Sequence, residues 1–87
     1  MKIGENKAGN ARMRVAANLR RLREKRGLSQ EKVAEMAEFH RTYVSQLERC
    51  ITNVSIDGLA RLAKALNVDI TVLLAPIVPG KDKSRSV

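Results

Sequence analysis

LSQEKVAEMAEFHRTYVSQLERC, residues 28–50, reads as two short helices joined by a very short link. Ser29 is a good N-cap, because its side-chain oxygen can accept from the first orphan backbone N–H groups of a helix. Glu31 follows in the first turn, where the helix dipole favours an acid, while Lys32 occupies the place of a reciprocal capping acid. Val33, Ala34 and Ala37 then form a small inner face flanked by Met36. The link runs over about residues 38–40, and a second helix is expected over 41–49. Small facing residues and a short join imply a close angular crossing. On a helical wheel, Tyr43, Val44 and Leu47 share one sector, and Arg41, Thr42, Ser45, Gln46 and Arg49 fall opposite. That outward face holds side chains that donate hydrogen bonds, where a merely solvated face more often mixes Lys and Glu.

Working outward, the same periodicity extends in both directions. Val15, Leu19 and Leu22, with Ala16 beside them, give a helix over about 11–26 that stops at Gly27, with Lys25 and Arg26 in its last turn. Ser55 caps a helix over 56–66 whose stripe is Leu59, Leu62, Ala63 and Leu66, with Arg61 and Lys64 facing out; Asn67 ends it. Asp69 caps a last short helix over about 70–75, ended by Pro76. ITVLL (70–74) is β-branched enough to be a strand, but nothing else in the chain resembles a pairing partner. Residues 1–10 read as a flexible basic arm and residues 76–87 as a flexible tail. Lys2, Lys7, Arg12 and Arg14 are candidates for following a nucleic-acid backbone or entering a minor groove, with generic charge attraction as the plainer alternative.

Composition narrows the function classes. Eighty-seven residues make one small domain with a marginal core, which a partner subunit would help. Phe39 and Tyr43 are the only aromatics, so the core is aliphatic. A net charge of +8 favours a polyanion: nucleic acid first, an anionic membrane surface second. The narrow, aromatic-free stripe of the first helix argues against lying on a membrane, and no apolar run approaches the roughly 18 residues of a span. With Cys50 the only cysteine and His40 the only histidine, a disulfide, a zinc finger and a His-based triad are out of reach within one chain. No two-metal carboxylate cluster is visible, so an enzyme is not expected. The start has no signal-peptide core, and a cytoplasmic, nucleoid-associated protein is the expectation.

Three marks in order, LRRLREKRGLSQEKVAEMA, RTYVSQLER and VSIDGLARLAKALNVDITVLL, resemble the helix-turn-helix family of phage Cro and cI repressors, the XRE-like family. The resemblance covers about Leu19 to Leu74. RTYVSQLER also looks like the small controller proteins of restriction–modification operons. The resemblance implies an all-α, five-helix, lambda-repressor-like domain binding double-stranded DNA as a homodimer on a partly symmetric operator. It matches Gln30 to a phosphate-touching glutamine, Ala34 to the helix crossing, Val44 and Leu47 to the buried side of the recognition helix, and Arg41, Thr42, Ser45 and Gln46 to its groove side. It also matches Arg23 and Glu48 to an internal ion pair. Two positions depart from the family pattern. Glu38 and Cys50 stand where glycine is frequent, so either Glu38 bears a penalty of about 1 kcal/mol in a turn with φ > 0 or that turn is relaxed, and the exit after the recognition helix is expected to be differently shaped.

Read one by one, Arg41 offers a donor fork suited to guanine and Gln46 can pair with adenine. Thr42 and Ser45 can reach a base, a phosphate or a water. Ser29 and Gln30 at a helix N-terminus, Tyr43 through its hydroxyl, His40 and Arg49 are phosphate candidates. Ile70, Val72, Leu73 and Leu74 are too many apolar residues for one small core, so part of this set is expected to form a two-fold interface. The functional expectation is a transcriptional regulator, repressor or activator, acting by occupancy and through contact with or exclusion of RNA polymerase, without cofactor or metal. On the controller-like reading it regulates its own restriction–modification operon. An antitoxin that represses its own operon and a non-specific DNA-binding protein are the alternatives.

Overall fold

The computed structural model describes residues 10–77, and the chain is all-α. Five helices follow in order: α1 (Ala11–Lys25), α2 (Gln30–Ala37), α3 (Arg41–Glu48), α4 (Ile56–Leu66) and α5 (Ile70–Leu73). No strand occurs among the described residues, so the 70–74 run is helix and its exit turn. The expected arm and tail lie outside the described residues except at their inner ends, Asn10 and Pro76–Ile77.

Side-chain caps set four of the five starts. Ser29 accepts from Lys32 N, Ser55 from Gly58 N and Asp69 from Thr71 N, each at 2.9 Å. Asn10, which the sequence reading gave to the arm, is in fact the N-cap of α1 and accepts from Met13 N. The Asp69 carboxyl is held below its usual range by hydrogen bonds from the Thr71 hydroxyl and backbone N–H. His40 precedes α3 without a side-chain cap bond.

The exits of α1 to α4 share one geometry. Gly27, Glu38, Cys50 and Asn67 have φ of 68°, 62°, 60° and 57°. Behind each, the next N–H reaches the carbonyl five positions earlier: Leu28 to Arg23, Phe39 to Ala34, Ile51 to Gln46 and Val68 to Ala63. A left-handed residue followed by this bond satisfies carbonyls that a helix end leaves orphaned. Of the two alternatives at Glu38, the strained left-handed turn is the one observed, and the expectation of an altered exit at Cys50 is corrected. Both residues take the left-handed conformation despite a cost of about 1–2 kcal/mol for an L side chain, because the closure bonds demand it.

Leu19, Val33, Val44, Leu62, Leu66 and Leu73 are fully buried at the centre, each contributing about 1.5–3 kcal/mol by leaving water. Leu73 is thus a core residue, which corrects its expected place on an exposed interface. Ile70, Val72 and Leu74 pack against the core but stay half-buried. The Asn18 side chain of α1, 5% exposed, donates from Nδ2 to the Leu73 and Ala75 carbonyls, both at 3.0 Å. Arg14 Nη1 donates to Leu74 O at 3.1 Å. Arg14 is therefore tied to the end of α5 rather than extended with the arm. Three successive carbonyls turned toward α1, with the tighter Leu74 N–Thr71 O bond, explain why α5 stops at Leu73 and not at 75.

Candidate nucleic-acid interface

The recognition helix α3 is held from beneath by packing and by charge. Val44 and Leu47 are buried, and so is Glu48. Arg23 of α1 grips the Glu48 carboxylate with both arms of its fork, Nε to Oε2 at 2.6 Å and Nη2 to Oε1 at 3.1 Å. Its remaining arm, Nη1, donates to Leu28 O at 2.8 Å. Gln30 Nε2 adds a third bond to Glu48 Oε1, at 3.0 Å. A buried carboxylate without such partners would cost several kcal/mol. The guanidinium of Arg23 is pushed above its already high range by its hydrogen bonds to Glu48 and the fields of Glu48 and Glu24, against the opposing effect of burial. Arg23 therefore keeps its charge. Because Gln30 opens α2 and Glu48 closes α3, the start of α2 lies beside the end of the recognition helix.

The opposite side of α3 faces outward. Arg41 and Thr42 are exposed, and Ser45 and Gln46 are half-buried. Exposed His40 and Arg49 stand at the two ends, and exposed Ser29 caps the start of α2. Two phosphate candidates are engaged inside the protein. The Gln30 amide goes to Glu48, and the Tyr43 hydroxyl donates to Asn53 O at 2.6 Å, tying α3 to the loop that follows it.

The α2–α3 turn is braced from α4. Arg61, exposed as expected, also donates from Nε to Ala37 O at 3.0 Å and from Nη2 to Glu38 O at 2.7 Å. Its guanidinium carbon lies 4.3 Å above the Phe39 ring, which meets Tyr43 edge-on at 4.9 Å. Gly58 lets Phe39 in: a Cβ there would come within 3.1 Å of Phe39 Cζ and 2.8 Å of Val54 Cγ2.

Sequence reasoning missed two of these residues. Asn18 carried a signal, a polar side chain on the apolar stripe of α1 between Val15 and Leu22. Arg61 carried none, since its partners are backbone carbonyls 23 and 24 residues away. Among the described residues, no group of three His, Cys, Asp or Glu could hold a metal ion, and no helix is long and apolar enough to cross a membrane.

Two helices crossing at a short left-handed turn, the second with a polar, donor-rich outer face, define a helix-turn-helix DNA-binding domain. The chain belongs to the helix-turn-helix family, whose pattern matches residues 19–73, and it is a DNA-binding transcriptional regulator. It is 45% identical over 60 residues to the control protein C.SmaI of Serratia marcescens, covering 69% of this chain and 71% of that one. It is 41% identical over 66 residues to the control protein C.BamHI of Bacillus amyloliquefaciens, covering 75% and 82%. Among solved structures, the restriction-modification controller protein C.AhdI from Aeromonas hydrophila superposes with a TM-score of 0.69 at 37% identity, over 71% of this chain and 94% of that one. The family is one of DNA-binding regulators rather than enzymes.

Proposed function

We propose that this protein is a sequence-specific controller that binds a partly symmetric operator as a homodimer and regulates its own restriction–modification operon. The observation that carries the reading is the outward row Arg41, Thr42, Ser45 and Gln46 on a helix locked from beneath by Arg23, Glu48 and Gln30. A rigid support is what base readout needs, because hydrogen bonds to base edges discriminate only when donor positions are fixed. Arg41 reads guanine and Gln46 reads adenine; Thr42 and Ser45 complete the row. Ser29 with the backbone amides at the start of α2, His40 and Arg49 hold phosphates. Gln30 and Tyr43 shape that surface through their internal bonds. Similarity to control proteins supports the restriction–modification setting.

One recognition helix covers only a few base pairs, which is poor discrimination against a genome. Two copies would read half-sites about 34 Å apart. The half-buried Ile70, Val72 and Leu74 supply the self-complementary patch, with Leu73 as its internal anchor. Regulation follows from occupancy, by blocking or recruiting RNA polymerase. The test is selection of duplexes from a random library, followed by binding of wild type and Arg41→Ala to the enriched and scrambled sequences at several salt concentrations. The reading expects enrichment of a two-fold sequence and a slope of log K against log salt of roughly −0.9 per neutralised phosphate. Arg41→Ala loses about 1–3 kcal/mol on the enriched duplex and little on the scrambled one. Equal binding to all duplexes would leave a non-specific protein instead.

A further inference from the structure

We infer that Arg61 of α4, outside the helix-turn-helix itself, is a positioning residue for base discrimination. Its fork takes the last carbonyl of α2 and the carbonyl of the left-handed turn residue, Ala37 O at 3.0 Å and Glu38 O at 2.7 Å. Those two peptide units sit at the joint between the helix that starts at the phosphate candidates and the helix that carries the base readers. Charge-assisted bonds to both are directional and stronger than neutral ones. The same guanidinium covers Phe39 at 4.3 Å, and Phe39 touches Tyr43 of α3 edge-on. Tyr43 in turn holds Asn53 O beyond the end of α3. A single side chain thus fixes the turn from above and reaches the recognition helix through one ring. Glu38 gives the brace its leverage. At φ 62° its backbone is under steric load and is held by the closure bond from Phe39 N to Ala34 O; the fork is a second restraint on the same turn, and without it the remaining play swings α3 relative to α2.

This inference rests on the proposed function, since discrimination requires an operator. The experiment uses the full chain and two probes: the duplex that wild type enriches from a random library, and a scrambled duplex of the same composition. Arg61→Ala, Arg61→Lys and Phe39→Leu are each compared with wild type by urea melt and by binding to both probes across a salt series. A swing that forfeits one base pair's readout lowers the enriched-to-scrambled ratio by about tenfold or more. The expected result is that loss in folded Arg61→Ala, with scrambled binding and its salt slope unchanged. Arg61→Lys does not restore the ratio, because one ammonium cannot span two carbonyls as a fork does. Phe39→Leu gives a smaller loss of the same kind. A salt slope lowered by about one, with both probes weakened equally, would make Arg61 a phosphate contact and overturn the inference. So would a lowered melting midpoint with the ratio intact, or an unfolded Arg61→Ala accompanied by an Arg61→Lys that discriminates like wild type. If wild type enriches no duplex, the proposed function fails first and this role falls with it.

Discussion

Helix α1 holds two other helices, one from each half of its length, by different chemistry. Near its C-terminus Arg23 meets a carboxylate, and the bond is a charged fork buried under α3. In its N-terminal half, Arg14 and, at the midpoint, Asn18 donate to backbone carbonyls at the end of α5. The first attachment grips a side chain, so it fixes the rotation of α3 about its own axis and hence which residues face outward. The second grips the main chain where α5 stops, and leaves the side chains of α5 free to divide between inside and outside. On the proposed function, the helix that presents the base readers is locked by side chain, and the helix that presents the mating surface is tethered by backbone.

The sharpest way to break this contrast is within α5. Leu73→Glu buries a charge at a fully enclosed site and is expected to unfold the domain, whereas Val72→Glu on the half-buried side leaves the helical signal intact and yields a monomer. Circular dichroism with sedimentation separates the two, and a folded, dimeric Leu73→Glu would refute the division. Next in size is the charged attachment. Glu48→Ala leaves Arg23 without its partner and is expected to cost about 3–5 kcal/mol in a urea melt, with the Arg23→Ala, Glu48→Ala double variant losing clearly less than the sum of the two. Strictly additive losses of a fraction of that size would mean that the pair is no anchor. The backbone tether is weaker. Asn18→Ala strands carbonyls at the end of α5 and is expected to cost about 1–3 kcal/mol while weakening dimerisation, with α3 still discriminating between duplexes. Loss of discrimination at full occupancy would erase the difference between the two attachments. The smallest effect belongs to the exits. Glu38→Gly and Cys50→Gly each remove a strained side chain and are expected to stabilise by up to about 1 kcal/mol, net of the extra freedom gained by the unfolded chain. A destabilised Cys50→Gly would show that the thiol contributes packing that outweighs its strain.

Much of this arrangement is legible in the sequence because it is local. Ser29, Ser55 and Asp69 mark helix starts through bonds two or three residues long, and Gly27 and Asn67 mark ends. The outward row of α3 follows from the 3.6-residue period, and Glu48 stands out as an acid at the edge of an apolar face. What escapes is of two kinds. Asn18, Arg14 and Arg61 bond to carbonyls between 23 and 60 residues away, and every residue has a carbonyl, so the sequence offers no mark at the receiving end. The run at 70–74 is apolar at four of five positions, so no period within it tells Leu73 from its neighbours. Glu38 and Cys50 mislead for a related reason. Conformational preference argues against a left-handed exit there, and closure bonds to Ala34 and Gln46 overrule it.

The brevity of α5 carries a consequence for how the domain breathes. Four residues form one turn, so α5 bears the whole entropic cost of nucleating a helix and gains almost nothing from propagation. Its order is borrowed from its neighbours, from α4 through the shared core and from α1 through Asn18 and Arg14. In native-state hydrogen exchange the amides of α5 would therefore open in step with the first half of α1, as one cooperative unit below the global stability. On the proposed dimer, this makes the mating surface conditional. A chain whose α1 has not formed displays no ordered Ile70, Val72 and Leu74 row, so incompletely folded copies exclude themselves from assembly before any operator is met.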